Sequence, residues 1–197
     1  MAGQPGRGGR RRDRFAAARS FGFGDTARMI VEYRRNPCSR RGRPAVLVPD
    51  SALTLARIAD APAIAERSRT LIEAGLPWSW VPRRVEASIR HPETNVVVAR
   101  VREGIAGFGI MRYGLEEAHL NLFAVDRAWR GQGVGRRLLE WLERPARVAG
   151  LARIVLEVRA DNAGARAFYE RLGYRTLARV PGYYGGREAA VRMARAP

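Results

Sequence analysis

Apolar residues fall in three short runs between positions 95 and 126, each broken by turn residues, and from 133 onward they switch to helical spacing. Val96, Val97 and Val98 sit in a run over 95–102. A second run covers 104–113, beyond a tight turn at Glu103-Gly104, and a third covers 118–126. Three such runs in succession predict an antiparallel meander. Over 133–148, Val134, Leu138, Trp141 and Leu142 recur with the helical period. The pattern then predicts a buried strand at 154–158, a helix at 163–172, and strands at 174–180 and 188–194.

Ahead of the meander, the loose alternation of Leu53, Leu55 and Ile58 predicts a first strand over 52–59. Asp60 stands where it caps a helix over 61–73, with Ile64, Leu71 and Ile72 on one side and Gly75 as the stop. A loop between Pro77 and Pro82 and a helical stretch over 83–90 follow. Strand, helices, three strands, helix, strand, helix, two strands is the order of an α/β chain. Pro145 falls inside the long helical pattern, where proline costs about 3 kcal/mol, so a kink or an early end is expected there.

Charge changes the picture at the N-terminus. Residues 1–45 hold 12 Arg against Asp13, Asp25 and Glu32, and read as a disordered basic extension in which 15–35 forms at most a short helix on a partner. The folded domain is expected over 46–197. All 36 basic residues are arginine, and the net charge of +17 suits an anionic cofactor or an acidic partner. No basic face interleaved with aromatics runs through the folded part, which argues against specific nucleic-acid recognition. Cys38 is the only cysteine, so neither a disulfide framework nor a thiolate metal site is expected. No apolar run approaches the roughly 18 residues of a membrane span, and the N-terminus lacks a secretory core. The expectation is a cytoplasmic protein, monomer or homodimer, with no membrane or metal partner.

The candidate chemistry lies at 130–136, Arg-Gly-Gln-Gly-Val-Gly-Arg, where a strand gives way to a helix. A glycine-rich turn at a helix N-terminus offers unpaired N–H groups and the positive end of the helix dipole to an anion. A dinucleotide-binding fingerprint is excluded, because the glycines stand at 131, 133 and 135 and follow more than a hundred residues instead of opening the first strand–helix turn. A Walker loop is excluded because the chain contains no lysine.

Arg130, Gly133 and Gly135, followed by Asn162, Ala165, Phe168, Tyr169, Gly173 and Tyr174, match two motifs of the GNAT superfamily. The chain resembles these acetyl-CoA-dependent N-acetyltransferases over about 52–195, and its C-terminal half is most similar to the bacterial ribosomal-protein N-terminal acetyltransferases. That resemblance implies a central mixed, mostly antiparallel, twisted sheet flanked by helices. It also implies acetyl-CoA as cosubstrate, with direct transfer to an amine acceptor in a ternary complex. Main-chain groups of Phe123, Ala124 and Val125 would hold the pantetheine arm between splayed strands. Arg130, Gly131, Gln132, Gly133, Val134, Gly135 and Arg136 would bind the pyrophosphate, and Asn162 would contact the coenzyme.

By the same resemblance Tyr169 is the acid for the leaving thiolate and Glu157 the general base, its pKa expected to be raised by burial. Glu157 has an alternative as the ion-pair partner of Arg159 or Arg130. Glu116, Glu117 and His119 are the alternative source of a base. Trp78, Trp80, Glu117, Tyr183 and Tyr184 are the candidate acceptor-binding residues, the tyrosines in a loop between the last two strands. The acceptor is read as a protein or peptide N-terminal amine. A small-molecule amine, or a non-catalytic acyl-CoA-binding or ribosome-associated module, are the other readings.

Overall fold

The computed structural model describes residues 51–102 and 104–197. The extension 1–45, its helical expectation over 15–35, and Cys38 lie outside the described residues. The elements are β1 (Ala52–Leu55), α1 (Ala61–Leu71), α2 (Pro82–Arg90), β2 (Thr94–Val101), β3 (Gly104–Tyr113), β4 (Glu117–Val125), α3 (Val134–Val148), β5 (Arg153–Arg159), α4 (Ala163–Arg171), β6 (Arg175–Tyr184) and β7 (Glu188–Arg195). This is the order read from the sequence. The strands form one sheet, β1-β2-β3-β4-β5-β7-β6, in which only β4 and β5 run parallel.

Each face of the sheet carries its own apolar cluster. Ile64, Val85, Phe108 and Leu122 pack under α1 and α2, while Leu138, Leu142, Leu156 and Tyr169 pack under α3 and α4. Helix α3 sits close to the sheet because β3 offers glycines beneath it. A Cβ on Gly109 would stand 2.5 Å from Leu142 Cδ1, and one on Gly107 would stand 3.1 Å from Leu138 Cδ1. Small residues there let the helix approach until its leucines fill the space.

Four boundaries differ from the sequence expectation. The first strand stops at Leu55 because the Arg57 amide donates to Asp60 Oδ2 at 2.6 Å and a 3-10 turn follows at Ile58–Asp60. Asp60 therefore caps that turn and not α1, and its carboxylate also takes a two-pronged hydrogen bond from Arg100 at 2.7 and 3.0 Å. Pro145 does not end α3, which continues to Val148. The proline leaves the Trp141 carbonyl without its usual donor, and the Tyr113 hydroxyl donates to the adjacent Leu142 carbonyl at 2.8 Å. Finally, β6 runs on to Tyr184, so Tyr183 and Tyr184 end a strand instead of occupying a loop.

Candidate active site

The parallel pairing of β4 with β5 spans only Glu117↔Arg153 to Leu120↔Leu156. Beyond it β4 stays with β3 as far as Val125↔Gly107, and β5 stays with β7 as far as Arg159↔Ala190. The two strands therefore part. The β5-facing edge of residues 121–125 is left without a ladder partner, which is where the resemblance placed Phe123, Ala124 and Val125. A β-bulge stands at the fork: Ile110 pairs with Leu122 and Met111 with Leu120, so Asn121 is the extra residue. The bulge reverses the alternation of β4. Ala118 and Leu120 face α3 and α4, whereas Leu122 and Ala124 face α1 and α2.

A cleft of about 1280 Å³ runs along this fork, bounded by β4, the 130–136 turn, α4, β5, the end of β6 and the loop after α1. Gly131 and Gly133 adopt φ of +75° and +81°, a conformation costly for any residue with a Cβ. Gly133 is the N-cap of α3, so the amides of Val134, Gly135 and Arg136 have no intrahelical acceptor. Gly131, Gly133, Gly135, Arg130 and Arg136 line the cleft. The side chains of two predicted residues serve the turn itself: Gln132 donates to the Ala128 carbonyl at 2.8 Å, and Val134 is buried in the core. Arg130 Nε donates to the Val125 carbonyl at 3.0 Å. Asn162 caps α4, its Oδ1 accepting from the Ala165 amide at 3.0 Å. Free amides, two arginines and an unpaired strand edge suit a ligand with a diphosphate at one end and an amide-bearing arm at the other.

Tyr169 lies at the inner end of the cleft. Its ring packs between Phe168 and Tyr174, at centroid distances of 5.2 and 5.5 Å, and Phe123 stacks on Phe168 at 6.0 Å. Its hydroxyl makes no hydrogen bond to the described residues. Burial pushes the Tyr169 phenol well above its ordinary range, so it stays protonated at neutral pH.

Glu157 corrects its expectation. It does not pair with Arg159 or Arg130; its Oε1 accepts from Arg192 Nε at 2.7 Å and its Oε2 lies 2.6 Å from His119 Nε2. Burial works against its ionisation, but the hydrogen bonds from His119 and Arg192 outweigh it and hold the carboxyl below its ordinary value. A carboxylate so held is a weaker base than one raised by burial alone. Arg159 instead binds the Ala74 carbonyl at 2.9 Å and Glu188 at 2.7 Å. Tyr183 and Tyr184 pack edge to face at 4.9 Å beside Glu157, and both line the cleft. Burial pushes the Tyr184 phenol up to about 12.

The end of the cleft bordered by the loop after α1 is shaped by Glu73, which sequence reasoning missed. Its buried carboxylate accepts from Ser68 Oγ, from the Ser79 amide and hydroxyl, and from the Trp80 amide, at 2.6 to 3.2 Å. A glutamate just past a helix is ordinarily exposed, so only the loop folded onto it reveals the role. Trp80 lines the cleft as a nearly buried core residue with Arg84 4.1 Å over its ring. Trp78 does not line it, and carries Arg69 over its ring at 5.2 Å. Glu117 is also outside the cleft, ion-paired with Arg153 at 2.7 Å on the surface, and Glu116 is exposed in the turn before β4. Of the alternative bases only His119 reaches the cleft. Among the described residues no cluster of His, Cys, Asp or Glu could hold a metal, and no helix is long and apolar enough to cross a membrane.

A seven-stranded sheet forked at its one parallel pair, with a glycine turn at the fork, frames this cleft. Residues 62–174 match the acetyltransferase (GNAT) family. The chain belongs to that family. The ribosomal protein bS18-alanine N-acetyltransferase of Escherichia coli (strain K12) is 44% identical over 93 residues, 46% of this chain and 63% of that protein. This chain thus matches under two thirds of that relative's length. The N-alpha-acetyltransferase RimI of Mycobacterium tuberculosis (strain H37Rv) is 35% identical over 130 residues, 64% of this chain and 79% of that protein. The crystal structure of the ribosomal-protein-S18-alanine N-acetyltransferase from Escherichia coli has a TM-score of 0.63 at 33% identity, covering 74% of this chain and 93% of that one.

Proposed function

We propose that this protein transfers the acetyl group of acetyl-CoA to a primary amine, and that the amine is the N-terminus of a protein or peptide. The observation that carries the reading is one continuous cleft joining the 130–136 turn, the unpaired edge of β4, the Tyr169 hydroxyl and the Glu157–His119 pair. Amides at the N-terminus of α3, with Arg130 and Arg136, would hold the diphosphate. The open edge of 121–125 would hold the pantetheine arm. When bound, acetyl-CoA supplies a thioester whose carbonyl carbon accepts a neutral amine.

Tyr169 is the proton donor to the departing sulfur: it is protonated at neutral pH, and its hydroxyl has no competing partner among the described residues. The Glu157–His119 end of the cleft receives the acceptor amine and its proton. A free α-amine has a pKa of about 7.7–8.0, so a fair fraction is neutral at physiological pH, whereas lysine at about 10.4 is almost wholly charged. An end of the cleft whose carboxylate is held low by His119 and Arg192 suits the less demanding α-amine. The names of the matched relatives, which describe protein N-terminal acetylation, support the same acceptor.

Thiol release from acetyl-CoA, measured against N-terminal peptides, lysine peptides, polyamines and amino acids, tests the proposal. Turnover on N-terminal peptides alone is the expected result. Turnover confined to small amines would move the function to metabolite acetylation. Acetyl-CoA binding with no turnover on any amine would overturn the enzymatic reading.

A further inference from the structure

We propose that His119 is the group that takes the acceptor's proton, and that Glu157 is its positioning residue, fixed in turn by Arg192. The inference rests on the acetyltransferase reading, and differs from the sequence expectation of Glu157 as the base. Both oxygens of Glu157 are engaged, Oε1 by Arg192 and Oε2 by His119 Nε2. The Glu157 side chain is only 5% exposed, whereas that of His119 is 40% exposed and lines the cleft. An incoming amine therefore meets the imidazole before the carboxylate.

The geometry fixes the tautomer. An ionised carboxylate only accepts hydrogen bonds, so Nε2 must carry the proton it shares with Oε2. In the neutral ring that leaves the lone pair on Nδ1, which bonds to none of the described residues. A histidine oriented by a carboxylate on one nitrogen and free on the other is the arrangement of a general base. Arg192 stands opposite Glu157 on β7, where it keeps the carboxylate ionised and holds it in place. The other charged or titratable neighbours are Arg112, opposite His119 on β3, Tyr183 and Tyr184, beside Glu157, and Glu117, engaged by Arg153.

As the nitrogen–carbon bond forms, Nδ1 of His119 takes the proton released by the nitrogen. As the carbon–sulfur bond breaks, Tyr169 gives its proton to the sulfur. Solvent then carries the imidazolium proton back to the tyrosinate, which restores both residues. Glu157 remains ionised throughout and stabilises the transient imidazolium.

The chain has only two histidines, so ring nitrogen-15 NMR resolves them, and His119→Gln identifies the signals. The expected spectrum of the whole protein without ligand shows a protonated Nε2, a bare Nδ1 and a strongly downfield Nε2 proton that moves upfield in Glu157→Ala. A proton on Nδ1 with a bare Nε2, or an Nε2 proton unmoved in Glu157→Ala, would overturn the pairing. In turnover, with any amine the wild type acetylates, His119→Ala should lower kcat about 100-fold with the KM for acetyl-CoA unchanged. Imidazole added to the buffer should restore part of that loss. Wild-type kcat in His119→Ala would overturn the role of His119. A wild type that acetylates no amine would sink the acetyltransferase reading, while the NMR result still judges the pairing.

Discussion

Gly135 on α3 and Phe168 on α4 meet so closely that a Cβ on Gly135 would lie 3.3 Å from the Phe168 ring and 3.4 Å from Val125 Cγ2. The third glycine of the turn is thus a packing residue, where two helices and β4 converge. Gly133 has open space around its Cβ direction but a positive φ. The two glycines should fail differently. Gly133→Ala should cost about 1–2 kcal/mol of stability and disturb the α3 N-terminus, weakening acetyl-CoA binding. Gly135→Ala should displace the Phe168 ring by a few tenths of an ångström with a smaller loss of affinity. Calorimetric titration with acetyl-CoA beside thermal unfolding checks both, and equal behaviour would contradict the division.

Tyr169→Phe removes the hydroxyl and leaves the ring packed on Phe168 and Tyr174. Turnover should fall on the order of 100-fold while acetyl-CoA affinity stays close to that of the wild type. Steady-state kinetics with a fixed acceptor give the comparison, and unchanged turnover would remove Tyr169 from the mechanism.

Glu73→Ala should strip the loop after α1 of its common acceptor. Four donors lose their carboxylate, at a cost of about 3 kcal/mol. Because that loop borders the cleft at the end proposed for the acceptor, the KM for the amine should rise more than the KM for acetyl-CoA. Urea unfolding and a two-substrate kinetic matrix separate the effects.

Gly109→Ala should destabilise the domain by about 1–3 kcal/mol, since its Cβ would stand 2.5 Å from Leu142 Cδ1 and force α3 outward. A midpoint of denaturation equal to that of the wild type would show that α3 yields without cost.

The Arg100 hydrogen bond beside Asp60 holds its carboxyl below the ordinary value, against a smaller opposing effect of burial. A carboxyl depressed in the folded state contributes stability above its unfolded pKa of about 3.9, and loses it as pH falls through the folded value. Asp60→Asn should therefore be less stable than wild type near pH 7, by on the order of 1 kcal/mol. The gap should close in acid below pH about 4. Denaturation midpoints of both proteins across that range provide the test, and a constant gap would deny Asp60 the role.

The sequence by itself determined what depends on neighbours along the chain. The order of strands and helices, the glycine turn at the head of α3, and the placing of Tyr169 on the helix that follows β5 were all legible, because periodicity and turn chemistry are local. Partnerships across the sheet were not. Glu157 and Arg192 are opposed only because β7 inserts between β5 and β6. His119 reaches Glu157 from β4, a parallel neighbour joined through α3. The facing of β4 was hidden too: a single extra residue at Asn121 exchanges the sides on which its side chains lie, and alternation alone does not locate a bulge. Tertiary packing decided these, since the register between strands distant in sequence is fixed by how α1 to α4 fill the two faces of the sheet. Glu157, legible as a buried acid, became through that register the partner of His119 and Arg192.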